Sequence, residues 1–451
     1  MTVTHIEPGR SARLAAAWRS GPLGVPAFRL LTAGQFTSTM GDFCYAVALP
    51  WLVLSNHGSA AQLGVVLACY GIPRAVLTVP GGSLADRIGP RRVMLGSDAV
   101  RCALTVVFAF LAAGHVSSVA ALAPVAAVLG CCSALFMPAS GALMPTLVDA
   151  GRLPAANAVY TGALQTGMLL GPVIGGVIVA TAGPTAAFGV DAATYAVSAV
   201  SLALMAAVTR RAAAGATAHQ VAPAEATPDA AGVDAAPAAA PGNVWALLRQ
   251  ARILQIILVV SVTANFALTG TTEVALPALA HARFGADGYG AVLTCVAVGS
   301  LTGVLIVAKV GRRTRPATLI GGAFLVAAVA IGLAPFLGGL PGAAGAMLVF
   351  GVSLGFDNVL AITLLQQWAP PGMLGRVMGL VMLAGAGTFP VSTAIAGLLT
   401  RHLGPSPVFP ISGVLLAAAI LAGLTQREFR DFGTPGEPDS RGELAPDLAA
   451  S

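Results

Sequence analysis

"GGSLADRIGPRRVM", residues 81–94, places charges of both signs between two long apolar stretches of a chain that otherwise avoids charge. Only 9% of the 451 residues are charged, 56% are hydrophobic, and the mean hydropathy is +0.84. Water-soluble domains carry about 25% charged residues, so this composition excludes a soluble protein. The chain is therefore predicted to be embedded in a lipid bilayer, with this segment as a loop between two spans.

Twelve apolar runs are long enough to cross a bilayer, since a spanning helix needs about 20 predominantly apolar residues. The runs are continuous, whereas the strands of membrane barrels alternate over about ten residues, so helices are predicted. We place the spans at 28–54, 62–84, 93–114, 119–147, 157–181, 186–208, 253–279, 288–310, 316–337, 342–369, 374–400 and 405–426. The predicted fold class is an all-α integral membrane protein with twelve transmembrane helices in two six-helix bundles.

The positive residues predict the orientation. Of 24 Lys and Arg, twenty flank the spans on one side, whereas Arg283 and Arg401 lie on the other side and Arg74 and Arg101 lie inside spans. Because positive loops stay in the cytosol, both termini are predicted to be cytoplasmic and the protein to lie in the inner membrane. The same side holds the loops with Arg87, Arg152, Arg210, Arg312 and Arg376. Scattered arginines without interleaved aromatic residues argue against nucleic-acid binding.

Composition also predicts the domain organisation. Residues 1–27 are a cytoplasmic tail, 28–208 and 253–426 are six-helix bundles, and 427–451 are a disordered cytoplasmic tail. Between the bundles, residues 209–252 are rich in Ala, Pro and small polar residues, which predicts a flexible linker. "VALPWLV" (47–53) in the first half is matched by "VALPALA" (274–280) in the second. Such a repeat is typical of transporters that bind substrate between two halves.

The six cysteines all lie in spans and show neither metal-ligand spacing nor a disulfide framework. No metal and no cofactor is predicted, and the cysteines are interpreted as small packing residues.

The opening segment and several later segments of the sequence resemble motifs of the Major Facilitator Superfamily. "GGSLADRIGPRR" is similar to the family's loop between spans 2 and 3, and "FMPASGALMPTLV", "LPAANAV", "GPVIGG", "DAATYAVSA" and "LGRVMG" follow in an order similar to that of bacterial siderophore, macrolide and multidrug exporters. The resemblance covers nearly the whole chain. It implies a cytoplasmic latch, in which Asp86 meets the start of span 11 near Arg376. The residues that the resemblance assigns to the latch loop are Gly82, Asp86, Arg87, Gly89, Arg91 and Arg92.

Two further segments belong to this interpretation. Asp98 and Arg101, three residues apart on one face of span 3, are expected to neutralise each other or to join the Asp86 network. "GMLLGPVIGG" on span 5 resembles the antiporter signature, and its small residues favour close helix packing. The signature positions are Gly167, Gly171, Pro172, Gly175 and Gly176. Span 4 lacks the arginine of many proton-coupled exporters, so their proton relay does not carry over unchanged.

Ionisable residues inside a bilayer are costly and usually mark a pathway. Asp42 and Arg74 lie at similar depths on spans 1 and 2 and are predicted to meet at the edge of a central cavity. Two polar stripes are predicted to line that cavity, and Asp357 on span 10 is a further candidate. The stripes are Gln35, Ser38, Asp42 and Tyr45 on span 1, and Asn265, Thr269, Thr272 and Glu273 on span 7. Asp191, which begins span 6, is expected to be a solvated cap near the outer surface.

The sequence therefore predicts a secondary active transporter that exports a small amphiphilic molecule, such as a drug, siderophore or secondary metabolite, by alternating access. A monomer is expected. Protons are the expected coupling ions, taken up by Asp42 or Glu273. The alternatives are an importer or facilitator of a sugar or small metabolite, a transport-incompetent receptor or scaffold, and a membrane lipid enzyme. The enzyme is disfavoured because no soluble segment carries a catalytic constellation.

Overall fold

Twelve long helices follow one another in the computed structural model, which describes residues 21–219, 252–307, 316–368 and 374–430. Leu153–His219 is hydrogen-bonded as one helix, but Gly183 (φ 79°, ψ 172°) divides it into two parts, α5 (153–182) and α6 (184–219). The other helices are α1 (Pro26–Ser55), α2 (Ala60–Ile88), α3 (Pro90–Ala113), α4 (Val119–Leu143), α7 (Arg252–Arg283), α8 (Gly285–Val307), α9 (Pro316–Leu333), α10 (Gly339–Trp368), α11 (Leu374–Leu403) and α12 (Val408–Thr425).

Ten helical segments of the described chain are long and apolar enough to span a membrane. One of them, Leu153–Val208, contains both α5 and α6. The thirty residues of α1 fall outside the ten. Polar side chains such as Gln35, Ser38 and Asp42 lower the hydropathy of α1, although its length suffices to cross a bilayer. The prediction of twelve spans in two six-helix bundles, α1–α6 and α7–α12, is confirmed.

The ends of the predicted domains differ in one respect. Residues Arg427–Arg430, assigned to a disordered tail, form a short helix, α13, whose Phe429 is buried. The carboxylate of Glu428 on this helix lies 3.7 Å from the guanidinium of Arg252 at the start of α7. An aromatic anchor and an ion pair therefore extend the C-terminal half beyond the predicted boundary. Most of the predicted tails and linker lies outside the described residues.

Glycines let α5 lie directly on α1 in the first half. A Cβ on Gly167 would lie 2.9 Å from the backbone oxygen of Phe36, and one on Gly175 would lie 2.8 Å from the Cα of Cys44. A Cβ on Gly171, between them, would lie 2.5 Å from the Cβ of Phe43. Small residues at a spacing of four create the flat face that such backbone contact requires.

The two halves touch at one end of the molecule. We call the end that holds residues 26, 88 and 153 the terminal side, and the end that holds residues 55, 60 and 183 the far side. On the far side, Gly176 of α5 lies against Gly290 of α8, where an added Cβ would come within 2.7 Å of a backbone carbon. The rings of Trp51 and His281 also meet there, with centroids 4.9 Å apart.

Contact between α2 and α11 completes the far-side closure. A Cβ on Gly71 would lie 2.5 Å from the ring of Phe389, and one on Gly397 would lie 2.8 Å from the backbone oxygen of Ala60. On the terminal side, by contrast, Cβ atoms on Gly162 of α5 and Gly379 of α11 would meet nothing within 4 Å. The contacts between the halves named here thus lie toward the far side, and we interpret the exposed terminal-side faces of Gly162 and Gly379 as the wall of a space between the halves that opens toward the terminal side. We call this space the vestibule.

Gly176→Ala is expected to loosen the far-side closure, because its methyl group meets the backbone of Gly290 and backbone cannot rotate away. Overpacking of this kind costs about 1–3 kcal/mol. Hydrogen exchange should therefore accelerate at the far-side ends of α5 and α8. Gly162→Ala on the same helix is the matched control and should leave exchange there unchanged. Equal exchange in the two variants would contradict the described packing.

Candidate functional site

Charged and polar side chains are buried together between α1, α3 and α6. Asp98 and Asp191 are 0% and 1% exposed, and Arg101 is buried beside them. Thr105, Thr194, Tyr195 and Ser198 are buried in the same region. We call Asp42, Asp98, Arg101, Asp191 and Tyr195 the acid cluster. Burying so many ionisable groups away from water requires that they compensate one another.

Arg101 is the positive centre of the acid cluster. Its guanidinium lies 3.9 Å from a carboxylate oxygen of Asp98, whose other oxygen accepts a hydrogen bond of 2.7 Å from Ser198. The guanidinium carbon also lies 4.0 Å from the ring centroid of Phe136 and 5.2 Å from that of Tyr195. Aromatic faces attract a buried cation, so Arg101 is held by rings as well as by Asp98. Arg101 Nε and Nη2 have no hydrogen-bond partner within the described chain.

Asp42 connects the acid cluster to the vestibule. Its carboxylate accepts a hydrogen bond from the hydroxyl of Tyr195, yet its side chain is exposed. Residues four and seven positions away share its face of α1, and of these Ser38, Gln35 and Leu49 are all buried. This face is therefore directed into the protein, and Asp42 reaches solvent through an opening in the protein interior and not from the lipid surface.

The position of Asp191 differs from the prediction. It is buried beside the middle of α1 and is not a solvated cap: a Cβ on Gly41 would lie 2.5 Å from Asp191 Oδ1. Thr194 donates hydrogen bonds to the backbone oxygen and Oδ1 of Asp191, at 2.7 and 3.4 Å. Asp191 Oδ2 has no partner within the described residues. Counting from the helix end misplaced this residue because α1 extends farther past this level on the far side than α6 does.

A pattern in the sequence could have revealed the α6 side of the acid cluster. Asp191, Thr194, Tyr195 and Ser198 follow a spacing of 0, 3, 4 and 7, which places all four on one helical face. The prediction missed this stripe because it considered only the first member of the segment. Asp98 and Arg101, assigned to the latch, belong to this cluster and not to the Asp86 loop.

Arg74 does not form the predicted pair with Asp42. In the described chain no ion pair joins them; Arg74 Nη2 instead lies 3.8 Å from the sulfur of Met137, and the guanidinium carbon lies 5.7 Å from the ring centroid of Tyr70. The charge of Arg74 nevertheless acts electrostatically on both Asp42 and Glu273. The guanidinium of α2 is thus within electrostatic reach of one carboxylate from each half. Tyr195 has the position next to Asp42 that the prediction gave to Arg74.

Glu273 lies in a π-helical segment, Thr271–Ala275, inside α7. The cause is visible just before it: Ser392 of α11 accepts a hydrogen bond of 2.8 Å from Gly270 N–H and donates one of 2.5 Å to the backbone oxygen of Phe266. The hydroxyl therefore bridges the N–H of Gly270 and the carbonyl of Phe266, the two groups that a regular α-helix joins directly. A side chain inserted into the ladder in this way changes the helix register, and π-bulges are frequent at functional sites.

The remaining predicted pathway residues divide between the vestibule and the protein core. Tyr45 packs edge-to-face on Phe108 and Phe188, so it belongs to the aromatic core of the first half. Gln35 accepts a bond of 3.4 Å from Tyr160, and Ser38 is buried. Thr269 is half-buried on α7, as is Asn265, which lies beside Gly385 of α11. Asp357 is 1% exposed, and neither carboxylate oxygen has a hydrogen-bond partner within the described residues.

Sequence comparison gives the family. A sequence model described as Major Facilitator Superfamily matches residues 31–390. The chain belongs to the Major Facilitator Superfamily. Among curated relatives, it is 28% identical over 401 residues to the multidrug efflux pump Tap of Mycolicibacterium fortuitum, covering 87% of this chain and 92% of that protein. It is 26% identical over 426 residues to the enterobactin exporter EntS of Citrobacter koseri, covering 91% and 94% respectively.

Solved structures of other facilitators share the fold. A POT family transporter in complex with 5-aminolevulinic acid aligns with a TM-score of 0.69 and 13% identity, over 90% of this chain and 96% of that one. A bacterial homologue of the iron transporter ferroportin, in an inward-facing state, aligns with a TM-score of 0.64 and 15% identity over 91% and 99%. This facilitator is therefore a multi-pass membrane transporter.

The latch loop of this facilitator is only partly described. Asp86, Arg87 and Arg92 are exposed, and the side chain of Arg376, the expected partner of Asp86, lies outside the described residues. Gly89 forms the turn between α2 and α3. Its φ of +97° is a backbone conformation that a residue with a Cβ rarely adopts. Arg91 does more than face the membrane surface, because its Nε–H donates a bond of 2.8 Å to the backbone oxygen of Leu202 on α6.

The helix contacts near Gly82 also differ from expectation. The close helix contact is at the neighbouring Gly81, where a Cβ would lie 2.9 Å from the backbone oxygen of Ala134 on α4. A Cβ on Gly82 would lie 3.8 Å from Pro138, which is ordinary contact. Residues 81–88, predicted as part of a loop, are helical, and Gly81 brings this end of α2 onto α4 of its own half.

Replacement of Arg101 tests the acid cluster as a structural unit of this facilitator. Arg101→Met should destabilise the protein by about 3–5 kcal/mol, because it leaves buried carboxyl groups without their positive partner. Thermal unfolding in detergent measures the loss. Arg92→Met, at an exposed arginine of the same helix, is the control and should unfold as the wild type does. A combined Asp98→Asn and Arg101→Met variant should recover part of the stability; no recovery would contradict the pairing.

Replacement of Ser392 tests the π-helical segment. Ser392→Ala removes the hydroxyl that serves Gly270 N–H and the Phe266 carbonyl, and a buried group left unpaired costs about 1–3 kcal/mol. We expect a lower unfolding temperature and altered exchange of the Gly270 amide in hydrogen-exchange measurements. Thr302→Ala removes a hydroxyl that bonds only within its own helix α8 and should change neither. Ser392→Ala with wild-type stability and exchange would show that the inserted hydroxyl does not hold the segment.

Proposed function

We propose that this facilitator exports a small amphiphilic molecule across the cytoplasmic membrane by alternating access, driven by proton antiport. The observation that carries the proposal is an ionisable carboxyl group on a predominantly apolar helix of each half, Asp42 on α1 and Glu273 in the π-helical segment of α7. Because Arg74 and Asp42 belong to the same half, movement of the halves against each other changes the distance of Arg74 from Glu273 and leaves its distance from Asp42 unchanged. The occupancy of the site by protons or substrate can therefore bias the conformation.

The relatives support export as the direction. Tap is named as a multidrug efflux pump and EntS as an enterobactin exporter, and both align with more than four-fifths of this chain. The arginine distribution supports a cytosolic position for the terminal side. On that orientation the vestibule described above opens toward the cytosol, where an exporter binds its substrate.

The packing of the halves supports alternating access. Far-side closure depends on apposed glycines, such as Gly176 and Gly290, and on apolar contacts such as that of Tyr70 with Phe389, whose centroids are 6.2 Å apart. Contacts of this kind separate without leaving charged groups unpaired. Both halves belong to one chain, so one molecule is sufficient for transport, and the monomer is the proposed functional unit.

The polar groups indicate how protons and substrate compete. Asp42 is exposed to the vestibule and Glu273 is half-buried in the π-helical segment, so both carboxylates are accessible from the space between the halves. A proton or an amphiphilic cation neutralises such a carboxylate, and the two ligands therefore exclude each other there. That competition is the basis of antiport in this proposal.

The export proposal is tested in inside-out membrane vesicles that contain the protein and carry an acidic interior. The panel of candidate substrates comprises an amphiphilic cationic dye, a tetracycline and a catecholate siderophore. At least one compound should accumulate, and collapse of the pH gradient should release it. No accumulation of any compound, or accumulation that persists without the gradient, would contradict the proposal.

Asp42→Asn tests proton coupling in the same vesicles. The variant should lose gradient-driven accumulation by about tenfold or more, the range typical of coupled sites. It should retain exchange of labelled for unlabelled compound, because exchange needs no proton. Asp149→Asn removes an exposed carboxylate at the terminal-side end of α4 and should behave as the wild type does. Gradient-driven accumulation that survives in Asp42→Asn would exclude Asp42 as the coupling group.

A further inference from the structure

We infer that Asp191 and Asp42 form a carboxyl pair that binds one exchangeable proton, with Asp42 facing the vestibule and Asp191 storing the proton inside the first half. This inference rests on the proposed function for its role in transport, but the site itself is described without reference to substrate. It places the proton store on α6, inside the first half and out of the vestibule.

The first observation is the imbalance of charge. Three carboxyl groups, those of Asp42, Asp98 and Asp191, share one buried guanidinium in the acid cluster. Arg101 pairs with Asp98, which leaves Asp42 and Asp191 without an ion-pair partner in the described chain. Two neighbouring carboxylates repel each other, so such a pair is most stable with one proton between the two groups.

The second observation is an unused oxygen. Asp191 Oδ2 is buried and has no hydrogen-bond partner within the described residues, although Oδ1 contacts Thr194. A buried carboxylate oxygen without a donor is costly, whereas a neutral carboxylic acid at this position carries no net charge. Asp191 Oδ2 can therefore carry one proton without losing an existing hydrogen bond.

The third observation is the route. Asp191 lies against Gly41, the residue directly before Asp42, and its charge interacts with that of Asp42. Asp42 reaches the vestibule, whereas Asp191 is 1% exposed. A proton that arrives on the Asp42 carboxylate can pass to the Asp191 carboxylate, which restores the negative charge of Asp42 and leaves Asp191 neutral. No other reactant is needed.

The titratable groups around Asp191 determine which residue can pass a proton to it. The titratable groups within electrostatic range of Asp191 are Asp42, Cys44 and Tyr45 on α1, Arg101 and Cys102 on α3, and Tyr195 on α6 itself. Thr105 of α3 is buried in the same region, but its hydroxyl donates a bond of 2.8 Å to the backbone oxygen of Arg101. Of these groups, Asp42 is the one that is both acidic and exposed to the vestibule, so it is the port for Asp191.

Gly41 is a positioning residue in this arrangement. A Cβ at this position would press on Asp191 Oδ1 and on the Thr194 side chain, so glycine is what allows the α6 carboxyl to approach the α1 backbone. The contact is side chain on backbone, and it keeps the two carboxyls in adjacent positions while the first half moves as a unit.

The test uses the folded full-length protein without substrate, so its failure is distinguishable from a failure of the export proposal. An apolar carbodiimide, which reacts with neutral carboxyl groups in apolar surroundings, is applied at acid and alkaline pH, and the modified peptides are located by mass spectrometry. We expect an adduct on Asp191 at acid pH that disappears at alkaline pH. Absence of an Asp191 adduct at every pH would overturn the inference.

A second measurement follows the proton by infrared difference spectroscopy between acid and alkaline pH. The wild type should show the C=O stretching band of a neutral carboxylic acid, and Asp191→Asn should lose this band, whereas Asp149→Asn should keep it. In vesicles, Asp191→Asn should retain substrate exchange but lose gradient-driven accumulation by about tenfold or more. A band unchanged by Asp191→Asn, or normal accumulation in that variant, would overturn the inference.

Discussion

The enclosure of charge within a bilayer is the constraint on which the structure depends. Arg101 is buried between α3 and α6, held by Asp98 and by the rings of Phe136 and Tyr195. Ionisable groups in hydrocarbon are costly unless they pair inside a bundle or line a wet cavity. The first half satisfies both conditions, since Arg101 and Asp98 are enclosed and Asp42 reaches the vestibule. The acid cluster therefore holds α1, α3 and α6 in fixed mutual positions.

Glycine residues are the second feature on which the structure depends, because they allow helix backbones to touch. Within the first half, Gly171 and Gly175 bring α5 onto α1, and Gly41 admits the carboxyl of Asp191. Between the halves, Gly176 and Gly290 meet on the far side without side chains that interlock. The same residue type thus makes the bundle rigid where helices of one half meet and leaves the interface between halves separable.

Much of the fold could be predicted from the sequence, because long apolar runs and one-sided arginines follow directly from bilayer physics. The acid cluster could be predicted only in part. Asp42 and the Asp98–Arg101 pair stood out as charges in apolar runs, but their grouping depends on how α1, α3 and α6 pack. Asp191 was placed by counting from a helix end, which fails when neighbouring helices project to different depths. Arg74 and Asp42 share a depth without sharing a contact.

The π-helical segment of α7 was beyond sequence reasoning for a related reason. It depends on a hydroxyl from α11, Ser392, that lies 122 residues away in the chain from the amide it bonds. No local pattern around Glu273 encodes that insertion. A π-helical segment of this kind depends on tertiary contacts, whereas the presence of a membrane-spanning helix follows from the local run of apolar residues.

In the proposed mechanism, protons on the carboxyl pair and the substrate exclude each other. The most direct measurement is proton release by the purified protein in weakly buffered detergent solution when a transported compound is added. Release of about one proton per bound molecule is expected, by the reciprocity of coupled binding. Binding of the compound with no proton release would contradict it.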